Sequence, residues 1–212
     1  MNDKTFDFNL FIKESKETLL NPKSYFSEMK LSGGMVEPLI KAVIYGAIAG
    51  IFYFLWGIFR LSAGSTLIGG ATGIMGFIWA VVTAIIGLFI GAVILLIISA
   101  ICKGNTDFEP CLRVTASLMV IMPISAFFGF FTGISFTLGT IVNLIIMFYC
   151  LWLMYNALIS ALKANAGTVK IVTIVLAALF VLSILIGMNT SRKVNRLLRE
   201  NKGLMEMNMD LQ

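Results

Sequence analysis

NPKSYFSEMKLSGGMVEPLIKAVIYG, residues 21–46, changes character halfway along. Asn21 to Lys30 is polar and charged, with Tyr25, Phe26 and Met29 interspersed. From Leu39 to Phe59 the chain is apolar, with Lys41 its only charge. That is long enough to cross a bilayer as a helix. Glu37-Pro38 sits at the join. A proline fits the first turn of a helix, where its missing N–H would be unpaired anyway. A carboxylate is favoured beside the positive end of the helix, and Lys41 is close enough to snorkel back to the interface. A helix start is the plain reading; the other is a docking surface formed by residues 21–41, with Tyr25, Phe26, Glu37, Pro38 and Lys41 as its candidate residues.

Working outward, the pattern repeats. Of 212 residues, 58% are hydrophobic and 13% charged, about half the charge that a water-facing surface carries. Apolar runs at about 39–59, 74–101, 114–133, 138–162 and 169–188 predict an all-α polytopic membrane protein, a bundle of five transmembrane helices. The 28-residue second run exceeds what a bilayer requires, so tilt or a protruding end is expected. Pro123 removes a backbone donor inside the third span and predicts a helix kink there. The domain reading is an N-terminal cytosolic or interfacial segment (1–36), a membrane domain (37–190) and a basic amphipathic tail (191–212).

The ends are amphipathic. FNLFIKESKETLL (8–20) sets Phe8, Phe11, Ile12 and Leu19 on one helical face and Lys13, Glu14, Lys16 and Glu17 mostly on the other. It reads as an interfacial helix on the membrane surface or as a helix packed on the protein's own spans. Asn21-Pro22 predicts the start of a second short helix, and LSGGM (31–35) a break. In the tail, Val194, Leu197, Leu198 and Met205 share a face beside arginines; this is a headgroup-bound helix or a plain extension of the fifth span.

The net charge of +5 gathers at the two ends of the chain. This suits phosphate headgroups better than nucleic acid, because no basic face is left to grip a duplex. With the N-terminus inside, ten lysines and arginines fall inside and six outside, the direction the positive-inside rule favours. The expected location is a multi-pass membrane protein with a cytoplasmic N-terminus.

Several chemistries are excluded. With no histidine there is no Ser-His-Asp triad, His-bearing zinc site or His-ligated haem. Cys102, Cys111 and Cys150 show no CxxC spacing. Structural thiols are the plain reading, and Cys102 and Cys111 could pair only if their loop met an oxidising compartment. Between Lys41 and Lys170 the apolar runs hold no Asp, Glu, Lys or Arg, whereas ion-coupled transport and intramembrane hydrolysis usually require such groups. No catalytic residue, metal ligand or cofactor is expected. The remaining polar groups of the fourth span, Asn143, Tyr149 and Asn156, are interhelical contacts or the lining of a substrate path. Gly46/Gly50, Gly87/Gly91, Gly129/Gly133 and Ala157/Ala161 are small-xxx-small pairs, which serve packing within the bundle or a homo-oligomer seam.

Three stretches carry a resemblance. NPKSYF…GGMVEPLIKAVIYG, FEPCLRVTASLMVIMPISAFFGFF and WLMYNALISALKANAGTVKIVTIVL together resemble the YIP family, the Ypt-interacting integral membrane proteins, over most of residues 21–188. In that family an Asn/Asp-Pro-aromatic segment precedes a proline at the first of five spans, and Pro123 matches a mid-span proline. The resemblance implies a cytosolic N-terminus and roles around membrane traffic. Eukaryotic members carry Asp-Leu-x-Gly-Pro at the first span. Here the positions read Gly34-Met35-Val36-Glu37-Pro38, and only Pro38 matches. This separates the chain from the GTPase-binding pattern and points to a bacterial member, in the inner or plasma membrane. The function expected is a non-enzymatic membrane organiser or adaptor, with the lipid bilayer and a membrane or cytosolic protein as partners. The alternative is a transporter, channel or lipid-moving protein for neutral or lipid substrates.

Overall fold

A computed structural model describes residues 7–59 and 74–184. The predicted loop 60–73 and the amphipathic tail lie outside the described residues. Within them the protein is all-helical: α1 Phe8–Leu20, α2 Pro22–Glu28, α3 Val36–Ile58, α4 Ile74–Ile101, α5 Phe108–Leu118, α6 Ile121–Phe128, α7 Phe131–Ile134, α8 Phe136–Ser160 and α9 Ala166–Ile184. Five stretches are long and apolar enough to cross a membrane: α3, α4, the broken series α5–α7, α8 and α9. The chain is a multi-pass membrane protein.

The helices begin where the local chemistry directs them. Asp7 caps α1, its carboxylate accepting from the amides of Asn9 and Leu10. Pro22 occupies the first turn of α2 and Ser135 caps α8. The third span starts earlier than the run from 114 suggests. Asp107 is the N-cap of α5, and Glu109, Pro110 and Arg113 are helical. Its charges are not loop charges; Arg113 is 4% exposed and neutralised by partners described below. The same span is interrupted. α5 ends at Leu118, Met122 N–H donates to the Met119 carbonyl at 2.9 Å, and α6 follows with Pro123 in its first turn. A proline ring collides with the carbonyl four residues back, here Met119, so the break falls one turn ahead of Pro123.

By contact density the chain divides into residues 1–173 and 174–212. In the first unit, α3 and α4 pack closely along small residues. A Cβ on Gly46 would lie 2.6 Å from the Ala84 Cβ and 3.2 Å from the Ala80 carbonyl. α4 turns a stripe of Ala80, Ala84, Leu88, Ala92, Leu95 and Ser99 inward. One core cluster surrounds Phe11, Ala42, Tyr45, Leu88, Leu112 and Leu153. The other joins Tyr25 and Phe26 to Cys102, Cys111, Leu158 and Val169. In the second unit, 174–184 form the C-terminal part of α9.

Two turns at one end of the spans interlock. α4 and α8 each end with a lysine in the left-handed region, Lys103 (φ 56°) and Lys163 (φ 55°). The amide of Asn105 donates to the Leu162 carbonyl at 2.7 Å, and the amide of Asn165 to the Cys102 carbonyl at 2.9 Å. Each asparagine side chain accepts from the start of the next helix, Asn105 from Asp107 N–H and Asn165 from Gly167 and Thr168 N–H. Cys102 and Cys111 are buried free thiols, and burial pushes the Cys102 thiol above its usual range.

Candidate functional site

Two helix starts share one local design. Glu37-Pro38-Leu39-Ile40-Lys41 opens α3 and Glu109-Pro110-Cys111-Leu112-Arg113 opens α5. Each places a carboxylate by a helix N-terminus, a proline in the first turn and a base four residues on. Within α3, Lys41 Nζ lies 2.9 Å from Glu37 Oε1. Within α5, Arg113 Nε is 3.9 Å from Glu109 Oε1.

α3 and α5 pack so that the two starts are cross-linked. Both terminal nitrogens of Arg113 donate to Glu37 Oε2, at 2.8 and 2.9 Å. Lys41 also donates to Glu14 Oε2 of α1 at 2.6 Å. At the other end of the chain of contacts, Glu109 Oε1 accepts from the amides of Gly33 (2.7 Å) and Gly34 (2.6 Å). Those glycines have φ of +132° and +87°, conformations side chains rarely adopt. A Cβ on Gly33 would lie 2.9 Å from Arg113 Nη2. Three carboxylates, two cations and two amides thus run in series from α1 through α3 and α5 to the loop before α3. Lys41 and Arg113 are 6% and 4% exposed. Buried cations persist only when paired in this way.

Hydroxyls fasten the N-terminal segment alongside the charges. Tyr25 of α2 bonds the buried Ser117 of α5 at 2.9 Å, and burial pushes its phenol above the ordinary range, which keeps it neutral. Ser15 of α1 bonds Tyr45 of α3 at 2.7 Å. Tyr149 of α8 donates to the Leu19 carbonyl at the end of α1.

The candidate docking residues therefore gather around one site but do not form an open surface. Tyr25, Phe26, Pro38 and Lys41 are buried; only Glu37 is about one-third open, its side chain 31% exposed. On α1, Phe11 is buried and Leu19 half-buried, while Phe8 and Ile12 are exposed. This is the packed-helix reading of residues 8–20. The three polar residues of α8 are not drawn together. Asn143 is exposed, Tyr149 holds α1, and the Asn156 amide donates to the Trp152 carbonyl of its own helix at 2.8 Å.

Glu14, Gly33 and Gly34 lie in residues 1–41 and Glu109 and Arg113 in 102–113, two stretches that the sequence offers as partner-binding, but their pattern does not single them out one by one. The legible signal was the repeat of Glu-Pro followed by a base at the fourth position, at 37–41 and 109–113. Chemically the network binds and orients. Its carboxylates are committed to cations or amides, and no group of three or more His, Cys, Asp or Glu suited to a metal occurs among the described residues.

Neither a curated protein nor a solved structure matches this chain. The Yip1 domain matches residues 16–188, which include Glu37, Lys41, Glu109 and Arg113 and both cross-linked helix starts, and the chain belongs to the Yip1 domain family.

Proposed function

We propose that this protein is a non-enzymatic membrane organiser or adaptor, which uses a clamped N-terminal platform to hold a protein partner at the surface of a bacterial inner or plasma membrane. Family membership supports the class, since Yip1 domain proteins are generally non-enzymatic trafficking proteins. The observation that carries the reading is the use made of the charges at the span ends: they fasten α1 and the Gly33-Gly34 loop to the starts of α3 and α5. A relay would place them along a path through the membrane. The clamp leaves the outer side of α1 free, where Phe8, Leu10 and Ile12 are exposed beside Lys13. Lys13 is paired with Glu17 at 3.8 Å, so the exposed apolar groups suit a partner with an apolar patch and a polar rim.

The test is capture in mild detergent followed by reconstitution in liposomes. Wild-type protein retains a partner that Phe8→Ser/Ile12→Ser loses, and the liposomes show neither solute flux nor lipid scrambling. Robust flux that disappears on Asn156→Leu would overturn the adaptor reading in favour of transport.

The orientation that fits this role puts the clamp in the cytoplasm. The buried thiols Cys102 and Cys111 are poor reporters, so the measurement uses single cysteines introduced at exposed Lys103 and exposed Phe136 in a cysteine-free chain. An impermeant thiol reagent on intact cells should reach position 136 and not 103.

A further inference from the structure

Between α2 and the last turns of α8 lies a cleft of about 670 Å3 that the clamp does not use. Its lining combines Lys23, Ser24, Ser27 and Lys163 with the apolar Trp152 and Ile159. Lys23 and Lys163 are both exposed, and neither forms an ion pair among the described residues. Lys163 stands just past the end of α8 in a left-handed conformation (φ 55°), which side chains rarely adopt.

The cleft has the polarity of a lipid. Two ammonium groups lie by the end of a membrane-spanning helix, the level at which headgroups sit. From Ser160 to Trp152 the helix descends about 12 Å toward the hydrocarbon, along Ile159 and the half-exposed Trp152. A free anion would use the lysines and leave the apolar lining empty. We propose that this cleft is a binding site for a membrane phospholipid with an anionic headgroup. Lys23 and Lys163 hold the phosphate as point charges, and an acyl chain lies along Ile159 and Trp152, while Ser24 and Ser27 line the cleft with their hydroxyls donating to Glu28 Oε1 and to the Ser24 carbonyl. The cleft borrows α2 from the N-terminal platform but none of the exposed α1 residues Phe8, Leu10 and Ile12 that the partner reading uses.

Native mass spectrometry of the full chain, offered equimolar phosphatidylglycerol and phosphatidylcholine in detergent, tests this. The expected result is a preference for phosphatidylglycerol on the order of tenfold or more, reduced to near parity by Lys23→Gln/Lys163→Gln. Lys13→Gln/Lys170→Gln, which removes the same charge from exposed positions outside the cleft, retains the preference. Ile159→Ser weakens adducts of both lipids. The proposal is overturned if the two lipids bind alike, if the control pair loses the preference equally, or if millimolar inorganic phosphate displaces the lipid and binds in its place. A monodisperse elution profile and unchanged helicity for each variant separate loss of binding from loss of fold.

Discussion

The two ends of α3 solve the problem of packing in a membrane by opposite means. At the Glu37 end, contacts are few, directional and charged: Lys41 and Arg113 are almost wholly buried and each is held by carboxylates. At the Trp56 end, contacts are many and aromatic. Phe52 meets Phe127 edge-on with ring centroids 5.3 Å apart, Trp56 meets Phe130 at 5.2 Å, and Phe130 stacks on Phe131 at 4.1 Å. Trp56 is part-buried and Phe127 42% exposed. Lipid is as apolar as an aromatic ring, so burial there yields little beyond packing. An unpaired cation at the other end has no comparable substitute. The charged end should therefore be brittle and the aromatic end tolerant.

The largest expected effect tests the brittle end. Glu37→Ala leaves Arg113 with only the distant Glu109 and should lower stability by about 3 kcal/mol, the lower edge of the range for a broken buried pair because Glu37 is partly exposed. Thermal unfolding in detergent, followed by circular dichroism, measures it. Glu37→Gln/Arg113→Met should recover part of the loss; a double variant no better than the worse single one would mean the pair is not the origin of the effect. Next, Gly46→Val forces α3 from α4 and should cost about 1–3 kcal/mol, whereas Gly87→Ala, where an added Cβ meets nothing within 4 Å, should be tolerated. At the aromatic end, Phe127→Leu should cost about 0.5–1.5 kcal/mol. An effect as large as that of Glu37→Ala would erase the contrast between the two ends. Smallest of all, Trp56→Phe removes the hydrogen bond to the Ala126 carbonyl and should cost about 0.6 kcal/mol.

Hydropathy alone made the five long helices legible, because lipid demands long uninterrupted apolar runs. α4 falls at Ile74–Ile101, the limits that its composition suggests. The start of α5 was hidden for the opposite reason. Glu109 and Arg113 look like water-facing charges until Glu37 and the amides of Gly33 and Gly34 are placed beside them. α1 shows a related limit. Periodicity finds an apolar side containing Phe8, Phe11, Ile12 and Leu19, but what faces the spans is set by partners 27 and 30 residues away, Lys41 for Glu14 and Tyr45 for Ser15. Those bonds turn Phe11 inward and leave Phe8 and Ile12 outside. The charge network was invisible to reasoning along single segments, since each segment supplies only half of it.

That division into halves has a consequence in time. Glu37 and Arg113 are 76 residues apart, so at ordinary rates of synthesis Glu37 precedes its partner by roughly 4–15 s. Neither charge need wait alone. Lys41 stands four residues after Glu37, and Glu109 four before Arg113. Each helix start is born electrically balanced and can settle at the membrane surface by itself. The later meeting of the two adds a distant partner to the near ones, which stay within ion-pair distance. The paired Glu-Pro-x-x-base segments thus act as chaperones for their own charges during assembly.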